Sequence, residues 1–407
     1  MSTMTLRIAM LALHSSPLGR LGTKGTGGMS VYLLEASREL AKYGHQVDIF
    51  TRSTMQGNLP VITPLPNVRI VHLNVADTVT RSPVDLYDFI DDFVDAIMDF
   101  CRQQHLAYHL IHSHYWLSGV VGQSLQAVWQ CPHFITFHTT GVAKMSALVN
   151  HHEDDIRLTE EARLLDHCDG VIVATAAEGW HLAADHHSIR QKVHVIPCGV
   201  NTDHFKPADV ARQQQQDQSS KKARMLMYVG RFDAMKGIDL LLNGFRRLPS
   251  TPPVNLTLIG GDGPSTETYE QIINHAQKLG ISKRIHMLGQ IDHQRMPCYY
   301  RTADAVVVTS HYESYGLVIL ESLSCGTPVV STPVGAAPHI IQPGVNGYLA
   351  DSADSPKFAE AISLTLQLTH QQDPMKISRS VAEFTWSRVA RLLLNVYYDK
   401  LLKTQST

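Results

Sequence analysis

The feature that most constrains this chain is a strand–helix alternation that runs along it, stops once and restarts. In the first half, strand-like runs at 7–13, 46–50, 68–72, 110–113, 134–137, 170–173 and 193–196 are interspersed with helix-like segments at 28–43, 86–104, 117–128 and 156–167. Such alternation requires an α/β fold. Residues 207–224 break it, because Gln213 to Gln216 and Ser219-Ser220-Lys221-Lys222 are polar and low in complexity. Met225-Leu226-Met227-Tyr228-Val229-Gly230 restarts the pattern, followed by strands Leu256–Ile259, Ile285–Leu288, Ala305–Val308 and Pro328–Ser331. The expected organisation is a doubly wound domain over 1–206, a linker over 207–224, a second such domain over 225–385, and a closing amphipathic helix within 386–407. Two such halves imply a cleft between them, the usual home of a ligand.

A length of 407 residues suits two domains that each support a core. Charged residues make up 18% and the net charge is −2, with no basic face, so nucleic acid is not expected as a partner. The cysteines at 101, 131, 168, 198, 298 and 325 form no C-x-x-C pair, which favours reduced thiols in a cytoplasmic protein. No run approaches the roughly 18 apolar residues that a membrane span needs. The apolar stretch Ile8 to Leu13 reads as a first buried strand rather than a signal peptide. Peripheral membrane contact and a homodimer both stay open.

Within the second half, His311-Tyr312-Glu313-Ser314-Tyr315-Gly316-Leu317-Val318-Ile319-Leu320-Glu321-Ser322 places two carboxylates eight positions apart across a strand-to-helix turn. The helix is expected to start near Tyr315 and stop at Cys325-Gly326, with Glu313 on the loop and Glu321 inside the helix. Unpaired amides at the helix start make an anion site. An anion site flanked by carboxylates suits a sugar nucleotide, whose phosphates are anionic and whose hydroxyls want acceptors. Either Glu alone reads equally as a solvated or capping carboxylate. Gly230-Arg231-Phe232-Asp233-Ala234-Met235-Lys236-Gly237 follows the restarting strand, and its Arg231 and Lys236 suit a diphosphate.

The N-terminal loop from His14 to Ser30 ends in Gly27-Gly28, where backbone can approach a ligand closely. It does not match a dinucleotide fingerprint, since Ser30 stands at the third glycine position and the loop begins too far from its strand. His138 lies at the C-terminal end of a strand, where α/β folds place functional groups. No D-x-D stands at a strand end, and His151-His152-Glu153-Asp154-Asp155 reads as a solvated loop, so no metal is expected.

These segments resemble the retaining glycosyltransferases of family four, which carry the E-x₇-E motif and the GT-B fold of two Rossmann-like domains. Val195-Ile196-Pro197-Cys198-Gly199-Val200-Asn201, Gly260-Gly261-Asp262-Gly263-Pro264 and Thr327 to Gly335 extend the likeness over essentially the whole chain. It implies transfer of a hexosyl unit, glucose or N-acetylglucosamine, from a nucleotide sugar, UDP-linked by preference, with retention and no metal cofactor. Arg231, Lys236, Glu313 and His138 take the catalytic roles. Gly28, Gly316, Leu317, Val318 and Glu321 bind the donor, with Glu321 on the ribose. The final helix would cross back onto the first domain. His14 to Ser30 and His114-Tyr115-Trp116-Leu117-Ser118-Gly119 are most similar to two branches, the inositol 3-phosphate N-acetylglucosaminyltransferases and the sucrose-phosphate synthases. The acceptor implied is a small phosphorylated polyol, inositol phosphate or fructose 6-phosphate, held by Met29, Ser30, Arg81, Tyr115, Thr139 and Arg157. A sugar-nucleotide epimerase and a non-catalytic sugar-nucleotide binder share the same architecture, and a lipid or polysaccharide acceptor remains an alternative.

Overall fold

A computed structural model describes residues 4–19, 27–53, 60–75, 78, 81–148, 151–208, 223–249, 251–261, 263, 266–350 and 354–405. The chain divides into two compact units. Gly28–Pro197 joins the N-terminal strand and the segment from Trp386 in the first, and Cys198–Thr385 makes up most of the second.

The first unit is built on β1 (Arg7–Leu11), β2 (Gln46–Arg52), β3 (Val61–Leu65), β4 (Val68–Leu73), β5 (Leu110–His114), β6 (His133–Thr136), β7 (Gly170–Val173) and β8 (Val193–Val195). Their order is β3-β4-β2-β1-β5-β6-β7-β8, and every pairing is parallel except β3 with β4. The second unit carries β9 (Arg224–Val229), β10 (Val254–Ile259), β11 (Ile285–Gly289), β12 (Ala305–Val308), β13 (Val329–Ser331) and β14 (Gly347–Leu349), in the order β11-β10-β9-β12-β13-β14, all parallel. In both sheets the chain starts in the middle and reverses direction, which creates a switch point beside the first strand. The switch lies between β1 and β5 in the first unit and between β9 and β12 in the second.

Parallel strands covered on both faces read as continuous apolar runs, and Ala305-Val306-Val307-Val308 is buried throughout. The first core gathers Leu11, Phe50, Trp116, Ile135 and Leu164. The second gathers Leu226, Leu241, Phe245, Val307 and Phe358. The helix Trp386–Gln405 belongs to the first unit, where the Tyr398 hydroxyl donates to the Met4 carbonyl at 2.7 Å and Lys400 pairs with Asp169 at 2.7 Å.

One boundary expected from the sequence needs correction, and one strand is added. The division falls at Pro197/Cys198 rather than after 206, because Val200 bridges to Thr385 and the Phe205 ring packs on His293 and Tyr300. Of the expected linker, 209–222 lie outside the described residues. The helix expected to start near Tyr315 and stop at Cys325-Gly326 is present as Leu317–Ser324, with Gly316 at φ +97 before it and Cys325 as its C-cap. Strand β3 is an addition: it is a half-exposed edge strand that contains Pro64, so neither burial nor alternation marks it in the sequence.

Candidate functional site

In the second unit the site is assembled from the loops after β9 and β12. The Tyr228 hydroxyl donates to the Arg231 carbonyl at 2.7 Å and fixes the start of the first loop. Gly237 closes the short turn Ala234–Lys236 at φ +62, and a Cβ there would lie 2.1 Å from the Thr309 carbonyl oxygen. Only glycine allows this approach. It lets the Thr309 hydroxyl donate to the Lys236 carbonyl at 2.9 Å, and His311 N to the Met235 carbonyl at 2.8 Å. The Lys236 ammonium then meets Glu313 Oε1 at 2.5 Å, and the Ser310 hydroxyl donates to the same oxygen at 2.7 Å. Arg231 sits beside Asp233 at 3.0 Å with its side chain 43% exposed.

Leu317 and Val318 open the following helix, and neither amide has a helical carbonyl to serve. Glu321, one turn further in, is buried and accepts from His293 Nε2 at 2.7 Å and from the Tyr300 hydroxyl at 2.7 Å. Burial, beside the Glu321 charge, raises the Tyr300 pKa well above its usual value, so this hydroxyl stays a donor. The cations, the helix start and both motif carboxylates are therefore all held by the C-terminal ends of β9 and β12 and the elements behind them.

In the first unit the corresponding ends of β1, β5 and β6 carry the site. Tyr115 follows β5 at φ +76, with its ring 4.1 Å from His14 and 5.0 Å from the Arg157 guanidinium carbon. His138 follows β6 at φ +58. The Thr140 hydroxyl caps the helix Gly141–Ala147, and the Thr139 carbonyl accepts from Arg157 Nη2 at 2.8 Å. Thr139 Oγ1 and His14 Nδ1 are buried and have no hydrogen-bond partner among the described residues, so both remain available to a polar ligand.

Arg157, expected to hold the acceptor phosphate, is itself enclosed by carboxylates. Its side chain is 1% exposed, and it donates to Glu161 at 2.7 Å and Glu153 at 2.7 Å. Burial alone would lower its pKa, but Glu161, Tyr115 and Glu153 raise it, so it stays charged. Lys144 pairs with Glu153 at 3.1 Å. The two cations and two carboxylates balance. Of the loop expected to be solvated, His152, Asp154 and Asp155 are exposed, while Glu153 joins the cluster with His151 on it and Asp154 caps the next helix. Burial, with His138, Arg52, Arg157 and Lys144 nearby, brings the His14 pKa down to about 3, so His14 is neutral.

The other predicted residues are placed as follows. Gly28 is exposed at the first position of the helix Gly28–Lys42, and Met29 is half-buried against the core. Ser30 is buried, and its hydroxyl donates to the Ser16 carbonyl at 3.3 Å. Arg81 is exposed and lies over the Phe89 ring, while its carbonyl accepts from Arg52 Nη1 at 3.0 Å. Sequence reasoning assigned no role to Arg52, Lys144, His114, Ser310, His293 and Tyr300. His112 and His114, two apart at the end of a buried strand, were the legible signal among these, since a period of two puts both on one face.

Comparison with known proteins agrees with this architecture. The model described as "Glycosyltransferase Family 4" matches residues 26–204, and "Glycosyl transferases group 1" matches 209–380. The D-inositol 3-phosphate glycosyltransferase of Corynebacterium diphtheriae is 32% identical, covering 97% of this chain and 95% of its own. That of Mycolicibacterium smegmatis is 33% identical, over 96% of this chain and 90% of its own. The structure of sucrose-phosphate synthase from Thermosynechococcus elongatus superposes with a TM-score of 0.85 at 30% identity, covering 98% of this chain and all of that one. No helix among the described residues is long and apolar enough to cross a membrane. Full-length similarity on two parallel sheets of this kind shows that the chain belongs to the family 4 glycosyltransferases of the GT-B fold.

Proposed function

We propose that this glycosyltransferase moves a hexosyl unit, glucose or N-acetylglucosamine, from a UDP-sugar to a small phosphorylated polyol, with retention at the anomeric carbon. The observation that carries the reading is the Lys236–Glu313–Ser310 cluster beside the start of the Leu317 helix, in a chain similar end to end to enzymes named for inositol 3-phosphate. Lys236, Arg231 and the Leu317 and Val318 amides neutralise the charge that grows on the departing diphosphate. Glu313 accepts from hydroxyls of the transferred sugar, Glu321 from the ribose, and His138 meets the sugar's C6 hydroxyl. Tyr115, Thr139 and His14 supply polar contacts for the acceptor.

Retention proceeds by attack on the face the leaving group departs from. The acceptor oxygen forms the new bond to the anomeric carbon as the bond to the diphosphate oxygen breaks, and that phosphate oxygen takes the acceptor proton. The reaction is proposed to need no metal, so chelation with EDTA should leave turnover unchanged.

Inositol phosphate is the first acceptor to test, and fructose 6-phosphate the second, on the strength of the 0.85 TM-score to sucrose-phosphate synthase. The test is UDP release from UDP-glucose and UDP-N-acetylglucosamine against both phosphates, malate and unphosphorylated inositol, with the product's anomeric configuration read by proton NMR. Release that depends on a phosphorylated polyol, with an α product, supports the proposal. Release with malate alone, a β product, or donor conversion without acceptor overturns it.

A further inference from the structure

His138 is held by a second histidine to which the roles above assign nothing. His112 and His114 share one face of β5, and the register sets Thr136 of β6 opposite His114. His138 lies two residues beyond Thr136, and its Nε2 is 2.9 Å from His114 Nδ1. Behind the pair, the His112 ring stands 4.3 Å from that of His114 and is fixed at both nitrogens, by the Tyr397 hydroxyl at 2.6 Å and the Thr136 hydroxyl at 2.9 Å. His114 is fully buried, and its Nε2 has no hydrogen-bond partner among the described residues. His138 itself sits at φ +58, uncommon for residues other than glycine though less so for histidine.

Two neutral imidazoles sharing one hydrogen bond have two arrangements. Burial brings the pKa of both rings down, that of His138 to about 3, so each carries one proton at neutral pH. If His138 donates through Nε2, the His114 proton must sit on Nε2, and a buried N–H is left unpaired. If His114 donates through Nδ1, its unpaired Nε2 is a bare nitrogen and the His138 proton moves to Nδ1. The second arrangement strands no N–H group, which is the rarer and costlier defect in folded proteins.

We propose that His114 is a positioning residue that fixes His138 as its Nδ1–H tautomer, so that His138 offers a hydrogen-bond donor to the transferred sugar. The sugar contact rests on the functional reading above, whereas the tautomer rests on the geometry of the pair alone. Selective ¹⁵N-histidine labelling with long-range ¹H–¹⁵N correlation, assigned through His138→Gln, reads the tautomer directly in the unmodified protein. A protonated Nδ1 and bare Nε2 on His138 are expected, and a protonated Nε2 overturns the proposal.

Kinetics give the second arm, with UDP-glucose and UDP-6-deoxyglucose as donors. His114→Leu should lose about tenfold in kcat/KM with UDP-glucose, the worth of one hydrogen bond, and change little with the 6-deoxy donor. His114→Asn, whose amide N–H can replace Nδ1–H, should restore most of the loss. Equal losses with both donors in a folded His114→Leu protein contradict a positioning role. His138→Ala separates the two layers: if it treats the two donors as the unmodified enzyme does, the sugar contact fails while the NMR result stands on its own.

Discussion

Each unit of this enzyme gathers cations and carboxylates at the C-terminal ends of its central strands, but the two clusters differ in how firmly those charges are bound. The Arg231 and Asp233 side chains are 43% and 38% exposed, and those of Lys236 and Glu313 are each 19% exposed. A pair as exposed as Arg231–Asp233 is worth little to the fold. Arg157, Glu161 and Glu153 are shut into the first unit, where separating the charges leaves one uncompensated. Similar residue types thus give partly exposed ion pairs in one unit and a buried, charge-balanced cluster in the other. On the proposed reading, the acceptor side relies on neutral donors and acceptors, Tyr115, Thr139 and His14, more than on an open cation.

The sharpest way to break this contrast is to remove one cation from each cluster. Arg157→Met strands Glu161 in the interior and should cost about 3–5 kcal/mol of stability. Arg231→Ala should stay within about 0.5 kcal/mol of the unmodified protein. Thermal or urea denaturation compares the two, and similar losses would erase the distinction. Next in size is Lys236→Ala, which should lower kcat by about a hundredfold or more while leaving the melting temperature nearly unchanged. A variant with near-normal turnover would remove Lys236 from the leaving-group role.

Acid should act on the first unit through its buried histidines. His133 is fully buried and hydrogen-bonded to the Ser113 hydroxyl at 2.8 Å, and burial, opposed by Asp169, brings its pKa from 6.5 down to about 4. Its folded pKa is depressed, so its contribution is complete above pH 6.5 and is lost as pH falls toward 4, at up to about 1.4 kcal/mol per pH unit. Urea midpoints measured across this window should fall less steeply in His133→Gln. The smallest effect concerns Glu321. Tyr300→Phe removes one of its two donors and should raise the donor KM by a factor of about 2–10 with little change in kcat.

Much of this was legible in the sequence because it is local. The β-branched runs, the glycines at 237 and 316, and the E-x₇-E spacing each specify a strand, a turn or a helix start from a few neighbouring residues. What was not legible depends on residues far apart in the chain. Glu321 is held by His293 and Tyr300, 28 and 21 positions away, and no local pattern marks either. Arg157 has both carboxylate partners only four positions away, but its burial against Tyr115 and the Thr139 carbonyl, 42 and 18 positions distant, is set by the fold. The boundary after 197 was missed for the same reason, since the pairing of Val200 with Thr385 joins positions that only the finished fold brings together.

The most direct measurement of the central claim, that the second unit holds the nucleotide and the first the acceptor, is calorimetric titration of UDP into the unmodified enzyme, Lys236→Ala and Tyr115→Phe. The account predicts that Lys236→Ala weakens UDP binding by about tenfold or more, the scale of a lost charge-assisted hydrogen bond, and that Tyr115→Phe leaves it unchanged. UDP affinity that ignores Lys236, or that collapses in Tyr115→Phe, would contradict it.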